Sequence, residues 1–387
     1  MEAPNYEPRR QVAGAHVPAF NRRIHIAAWA AFLFAFPLVW MGGLVTSTGA
    51  GLAVPDWPNS FGYNMFALPW EHWIGRHAID NGVFYEHSHR LLGSLLGIVA
   101  IWLHLETWYG PRRSLQMRWV TAGLLGAIIF QGLMGGLRVT ELNNYFGWAH
   151  GIFGQCILAF AGVCVVLTSK PWTTRKRLPD APGGRRVLAV AAAALVLVVI
   201  QLALGAAMRH DPTRNHHLGS GAGLAIPDFP LHYGRVMPPM DPDMLPAINM
   251  LRAEAYDLPP VTFRQIHLHM GHRIGAVVVS AVVVALAVML WRRRRHDGLF
   301  KLAAGGLVVL LLAQLTLGVL TVLWRKPADI ATLHQAVGSL LLVTLAVTLT
   351  RAYGLYATRR QPAQVETRLG AGSPSENPAR MTAAVRA

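Results

Sequence analysis

Four histidines share a type and a spacing that could hold a metal. His89 closes the string EHSH before Arg90, and His272 stands in HMGHR, 183 residues later. His150, in AHG, and His334, in LHQ, form a second pair 184 residues apart. Neutral imidazole is the commonest protein ligand to metals, and iron in a porphyrin takes it on one or both axial positions. Zinc usually takes three or four protein ligands at closer spacing. Two candidates in each half of the chain therefore suit one heme per half better than zinc. Arg90 and Arg273 directly follow the first histidine of each half, at the right level to pair with heme propionates or to anchor a helix at lipid headgroups.

The halves differ three residues before that histidine. Glu86 precedes His89, whereas His269 precedes His272. Residues i and i+3 share a helical face, so Glu86 can sit beside whatever His89 holds. A carboxylate there could move protons. On this reading the first half reacts and the second carries electrons. Glu86 also falls at the edge of an apolar run, where a rim position in water is equally open to it. His87 faces elsewhere, and His267 and His269 could line the second site. His104 reads as interfacial, and His210, His216, His217 and His232 are weak metal candidates in a loop.

The elements that must position these residues are apolar. Hydrophobic residues make up 53% of the 387-residue chain and charged residues only 14%, against about 25% charged in a soluble domain. Eight runs, 24–45, 89–109, 117–138, 147–168, 186–208, 271–291, 300–323 and 332–353, each reach the roughly 20 residues of a spanning helix. Eight such runs exclude a soluble helical protein. No short apolar core with a cleavage site marks a signal peptide. The net charge of +16 would suggest nucleic acid in a soluble protein. Here 24 of the 35 basic residues lie before the first run, after the last, in alternate loops or at the run ends that border them. That is the positive-inside pattern of a protein facing lipid, not nucleic acid. It expects both termini in the cytoplasm.

The chain is also a tandem repeat. GAGLAVPDWP at 49–58 returns as GAGLAIPDFP at 221–230, and QGLMGGLRV from Gln131 returns as QLTLGVLTV from Gln314. Four spans per copy give both copies the same orientation. The expected fold is an all-α integral membrane protein of two tandem, parallel-oriented four-helix bundles. The expected organisation is a cytoplasmic segment 1–23, a first half 24–168, a linker 169–185, a second half 186–353 with a long extracytoplasmic loop 209–267, and a disordered tail 354–387. Even-numbered spans all start on the extracytoplasmic side, so all four histidines belong near that face. Asp56 and Asp228 should tie the PDWP and PDFP turns, with Trp57 and Phe229 packing or covering a heme edge. Cys156 and Cys164, eight helical residues apart, stand about 12 Å from each other, too far for a disulfide.

These strings together resemble heme A synthase, the CtaA family of bacteria and its mitochondrial relatives. GGLVTSTGAGLAVPDWP, EHSHR, QGLMGGLRV and AHG carry the likeness in the first half. LGSGAGLAIPDFP, HMGHR and LHQAVGS carry it in the second, so the resemblance covers about 24–353. It implies an oxidoreductase of the inner membrane that converts heme O to heme A for aa3-type oxidases, oxidising the methyl on porphyrin carbon 8 to a formyl group by successive hydroxylation. It implies substrate heme at His89 and His150, heme b at His272 and His334, and an important carboxylate at Glu86. It also implies handover from a heme O synthase, contact with the oxidase assembly machinery and a possible homo-oligomer. The cysteine pair that many bacterial members carry in the first extracytoplasmic loop is missing here, and the loop 209–267 is long. Two other classes compete. A diheme b-type carrier linked to quinone would leave Glu86 without a chemical task, and a transporter of parallel repeats would hold no heme.

Overall fold

The computed structural model describes residues 20–110, 114–174, 178–179, 181–210, 222–237 and 241–357. Eight helices within them are long and apolar enough to cross a membrane, and the chain is a multi-pass membrane protein. They are α1 (Arg22–Ser47), α2 (Val83–Tyr109), α3 (Leu115–Thr140), α4 (Asn144–Thr168), α5 (Gly184–Arg209), α6 (Phe263–Arg292), α7 (Gly298–Leu323) and α8 (Ala328–Tyr356). No strand occurs among the described residues. Most of the expected cytoplasmic segment and tail, along with Arg112, Arg113, Arg175 to Arg177, His216 and His217, lies outside them.

Every expected apolar run falls inside its helix, but α2 and α6 start well before theirs. The reason is local. Gly82, at φ 85°, turns the chain into α2, a conformation that glycine adopts without penalty. At α6, Thr262 accepts from the Gln265 backbone N–H while the Gln265 side chain accepts from the Thr262 N–H, a reciprocal cap that satisfies two otherwise orphaned donors. EHSHR and HMGHR are therefore helical throughout, and both copies of the position three residues before the histidine are buried: Glu86 is 5% exposed and His269 3%.

In the first half α1 packs on α2, α2 on α3, α3 on α4, and α4 back on α1; α5 to α8 repeat the ring. The halves meet where α8 packs on α4 and α1, and α4 on α5. Half of the apolar window of α4 and of α8 is buried, against a third or less in the other six helices. These two helices are the centre of the molecule, and each carries one histidine of a pair. Ser339 of α8 donates to Gln155 of α4 at 2.8 Å inside that contact. Small residues let the helices approach: Ala27, Ala28 and Ala31 of α1 are fully buried, and a Cβ at Gly162 of α4 would stand 3.1 Å from Val343. One apolar core runs through both halves. Cys156 and Cys164 are both free.

The loops after α1 and α5 close the same end of the two bundles, and they repeat each other in detail. Phe61 and Gly62 donate to the Asp56 carboxylate at 2.7 and 2.8 Å. Tyr233 and Gly234 donate to Asp228, both at 2.8 Å. Ser60 pairs with Tyr63, and His232 with Arg235. Trp57–Pro58 and Phe229–Pro230 are both cis. The second loop adds a helix, Leu245–Tyr256, and a small core of Ala225, Ile226, Tyr233, Ile248, Val261 and Ile266. Arg252, fully buried, ties that core by donating to the carbonyls of Leu224, Ala225 and Pro259.

Candidate functional site

The four histidines come together as two pairs, one inside each bundle. The rings of His89 and His150 lie 6.2 Å apart between centroids, and those of His272 and His334 lie 6.4 Å apart. A metal–imidazole bond of about 2 Å on each side, with roughly 1.1 Å from each ring centre to its nitrogen, spans about 6.3 Å. Both pairs thus stand at a separation that one iron between two imidazoles would fit. Among the described residues no three His, Cys, Asp or Glu converge to hold a metal ion, so the sites offer the donor number of a heme rather than of structural zinc.

Each ring is positioned in the same way. His89 lies against Gly42, His150 against Gly135, His272 against Gly205 and His334 against Gly318, where a Cβ would stand 2.9 to 3.2 Å from the ring. The missing Cβ is the space the ring occupies. On the far side of the ring, Nδ1 of His89 donates to the Leu38 carbonyl at 3.2 Å, that of His150 to Gln131 at 3.2 Å and that of His334 to Gln314 at 3.1 Å. A proton held on Nδ1 leaves Nε2 with the lone pair, and on His334 the Gln314 amide nitrogen stands 3.3 Å from it. His272 differs, because its Nδ1 faces the Gln201 amide nitrogen at 3.1 Å. The side-chain oxygens of Gln131, Gln201 and Gln314 are buried beside these rings without a partner among the described residues. A buried acceptor left unpaired is costly.

Glu86 and His269 occupy equivalent places, but not beside the rings alone. Glu86 accepts from the Val54 backbone N–H at 3.0 Å and from Arg90 at 2.8 Å. His269 faces the Ile226 N–H at 3.1 Å and Arg273 Nε at 3.3 Å. The rim position in water left open for Glu86 is thereby closed. Arg90 also donates to the carbonyls of Val54, Asp56 and Asn59, and Arg273 to those of Ile226, Asp228 and Leu231. Left open between propionates and lipid headgroups, both guanidiniums donate to loop carbonyls, because the early start of α2 and α6 brings the arginines under the PDWP and PDFP turns. Trp57 packs flat on Gly136 of α3, and Phe229 lies 5.9 Å from the Arg273 guanidinium.

The other histidines divide. His87 is buried against Ser60 and Trp73 and holds the first loop. His104 bonds to Thr121 of α3. His267 is exposed and stacks on Phe263, away from the second pair. His232 belongs to its turn.

Sequence reasoning passed over a group of cations at the same end. Arg138 of α3 packs over Gly51 of the first loop. Arg209, the last residue of α5, reaches across to Ser47, Gln335 and the Gly43 carbonyl, joining the halves. His210, just beyond α5, lies on Gly147 and Gly151 of α4. Burial, with the charges of Arg138, Arg209 and Lys326 adding to it, pushes His210 down to about 3, so it is neutral at physiological pH. Burial and the Arg209 charge hold the Lys326 amine down at about 8. Arg138 stood in a repeated string, but only its partner in the other half, Thr321, could have drawn attention to it.

The COX15-CtaA family model, described as cytochrome oxidase assembly protein, matches residues 25–346. A heme A synthase of Methylobacterium radiotolerans is 28% identical, over 86% of this chain and 90% of the relative. One of Rhizobium etli is 26% identical, over 87% and 92%. One of Shewanella oneidensis is 25% identical, over 81% and 92%. With eight apolar helices, two matched histidine pairs and a family match that spans all eight, the chain belongs to the COX15-CtaA family of cytochrome oxidase assembly proteins.

Proposed function

We propose that this chain is a heme A synthase, an oxidoreductase that converts heme O to heme A for the assembly of aa3-type oxidases. The observation that carries this reading is an asymmetry within a symmetry. Two histidine pairs share one geometry, and among the described residues a carboxylate stands one turn before the first histidine of only one of them. His89 and His150 would hold the substrate heme, and His272 and His334 a resident heme b. When bound, heme b supplies one-electron transfer. The glycine contacts seat each ring, and the Nδ1 bonds of His89, His150 and His334 fix how those three rings turn.

Glu86 would take a proton, or balance charge, as the methyl on porphyrin carbon 8 is oxidised by successive hydroxylation to a formyl group. Its bond to the Val54 N–H holds the carboxylate in place, and Arg90 supplies the matching charge. The bundles wall the sites off from water, and the loops cover their mouths. The distribution of basic residues supports an inner-membrane location with both termini in the cytoplasm and the heme sites toward the extracytoplasmic face. The domain limits 24–168 and 186–353, and a handover from heme O synthase, form part of the same proposal.

The test is to purify the protein from a host that also makes heme O, extract its hemes, and separate them with mass detection. Heme A or its hydroxymethyl precursor beside heme b is the expected result. Heme b alone, with heme O available, would replace the synthase by a diheme electron carrier.

A further inference from the structure

Among the described residues, Arg138 is a cation beside the first histidine pair with no hydrogen-bond acceptor. It follows Gln131 and Gly135 at i+7 and i+3 on one face of α3. Gln131 bonds to the His150 backbone, and Gly135 carries the His150 ring. The Arg138 side chain continues that face toward the loop. A Cβ at Gly147 of α4 would stand 3.2 Å from its Nε, and one at Gly51 would overlap its guanidinium. Its charge reaches both His89 and His150. Yet among the described residues no acceptor lies within hydrogen-bond distance of it.

The groups that might neutralise it are engaged elsewhere or uncharged. Glu86, whose charge also reaches it, is bonded to Arg90 and Val54. His210, which shares the Gly147 surface, brings no negative charge. A guanidinium held against two glycines inside a membrane protein costs desolvation that an anion must offset. In the second half Thr321 takes the aligned position and bonds back to its own helix, while Lys326, from the turn beyond α7, passes over the matching Gly223. Each copy thus brings a cation over the same glycine, by a different route.

We propose that Arg138 is the anion anchor of the first-half site, where its guanidinium receives a propionate carboxylate of the porphyrin held between His89 and His150. This rests on the reading of that pair as a heme site. It moves the carboxylates from Arg90, whose donors serve the loop, to a guanidinium at the site that has no acceptor among the described residues. By fixing one edge of the porphyrin, Arg138 sets which ring methyl is presented to Glu86.

The full-length protein, with its second-half heme in place, is titrated with ferric protoporphyrin IX and with its dimethyl ester. The first-half signal is the low-spin absorbance that His89→Ala abolishes. A charge-assisted pair of this kind predicts that wild type prefers the free acid by about 10- to 100-fold. Arg138→Gln should remove the preference and Arg138→Lys should keep part of it. Equal affinities in wild type overturn the anchor, a result that needs no variant to fold. A preference that survives Arg138→Gln also overturns it and returns the carboxylates to another cation. If neither porphyrin gives a His89-dependent signal, the heme reading of the first half fails and takes the anchor with it.

Discussion

The two bundles carry the same loop clamp built from different chemistry. In the first, one carboxylate accepts from both the loop N–H and the neighbouring arginine. In the second, an imidazole faces the same two donors at 3.1 and 3.3 Å. A neutral imidazole has one lone pair on its ring nitrogens to offer, so His269 can satisfy only one donor. The structural task is common to both halves and cannot explain why one uses an acid. What remains is charge. The first half holds an ion pair beside its histidines, and the second holds an arginine without that acid. This difference fits a site that handles protons and a site that handles only electrons.

The sharpest way to break this comparison is Glu86→Gln. The amide can still accept one loop bond, so heme should stay bound while formyl product falls on the order of 100-fold or more, the usual scale for a lost acid–base group. Extracted hemes report both numbers, and undiminished heme A would remove Glu86 from the chemistry.

Next come the glycines. Gly135→Ala places a Cβ 2.9 Å from a His150 ring whose Nδ1 is tied to the Gln131 carbonyl. Overpacking of about 1–3 kcal/mol should weaken first-half heme binding roughly 5- to 100-fold. Gly318→Ala should do the same to the second half alone, which heme stoichiometry and spin state would separate. Loss of both hemes from either variant would mean that the halves do not bind independently.

His269→Glu gives the second half the acid of the first. A new negative charge near the iron should lower that heme's reduction potential by tens of millivolts, read by redox titration. An unchanged potential would show that the charge difference at this position is not felt.

The smallest effect concerns the first loop. Burial works to raise the Asp56 carboxyl, but the amides of Phe61 and Gly62 and the charge of Arg90 outweigh it and hold the group below its usual 3.8. A depressed carboxylate stabilises the folded loop above the unfolded pKa, and that contribution is lost as pH falls through the lower folded value. Hydrogen exchange of the Phe61 and Gly62 amides should stay slow from neutral pH to below 3.8 and rise beneath it. Exchange that already rises near pH 5 would contradict this.

Much of the fold was legible in the amino-acid order because the physics behind it is one-dimensional. Lipid demands about 20 apolar residues per span, and all eight runs lie inside their helices. A duplication repeats its strings in the same order, so the histidine pairs and the Glu86–His269 contrast could be read before any coordinates. The helix starts of α2 and α6 could not, because a cap and a glycine carried each helix past the apolar run into polar residues. That shift alone moved Glu86 from a possible rim to a buried clamp.

What the sequence determined by itself was the number of membrane-spanning helices, their repeat and the identity of the histidines, since hydrophobicity and periodicity act along the chain. Tertiary structure decided what each polar group faces. It turned Arg90 and Arg273 to the loop carbonyls, set a glycine behind every histidine ring, and left Arg138 beside the first pair without an acceptor among the described residues. Those outcomes depend on which helix faces carbonyls and which faces a cavity. Only the packing of distant segments fixes that, because a hydrogen bond or an ion pair is made by position in space and not by spacing in sequence.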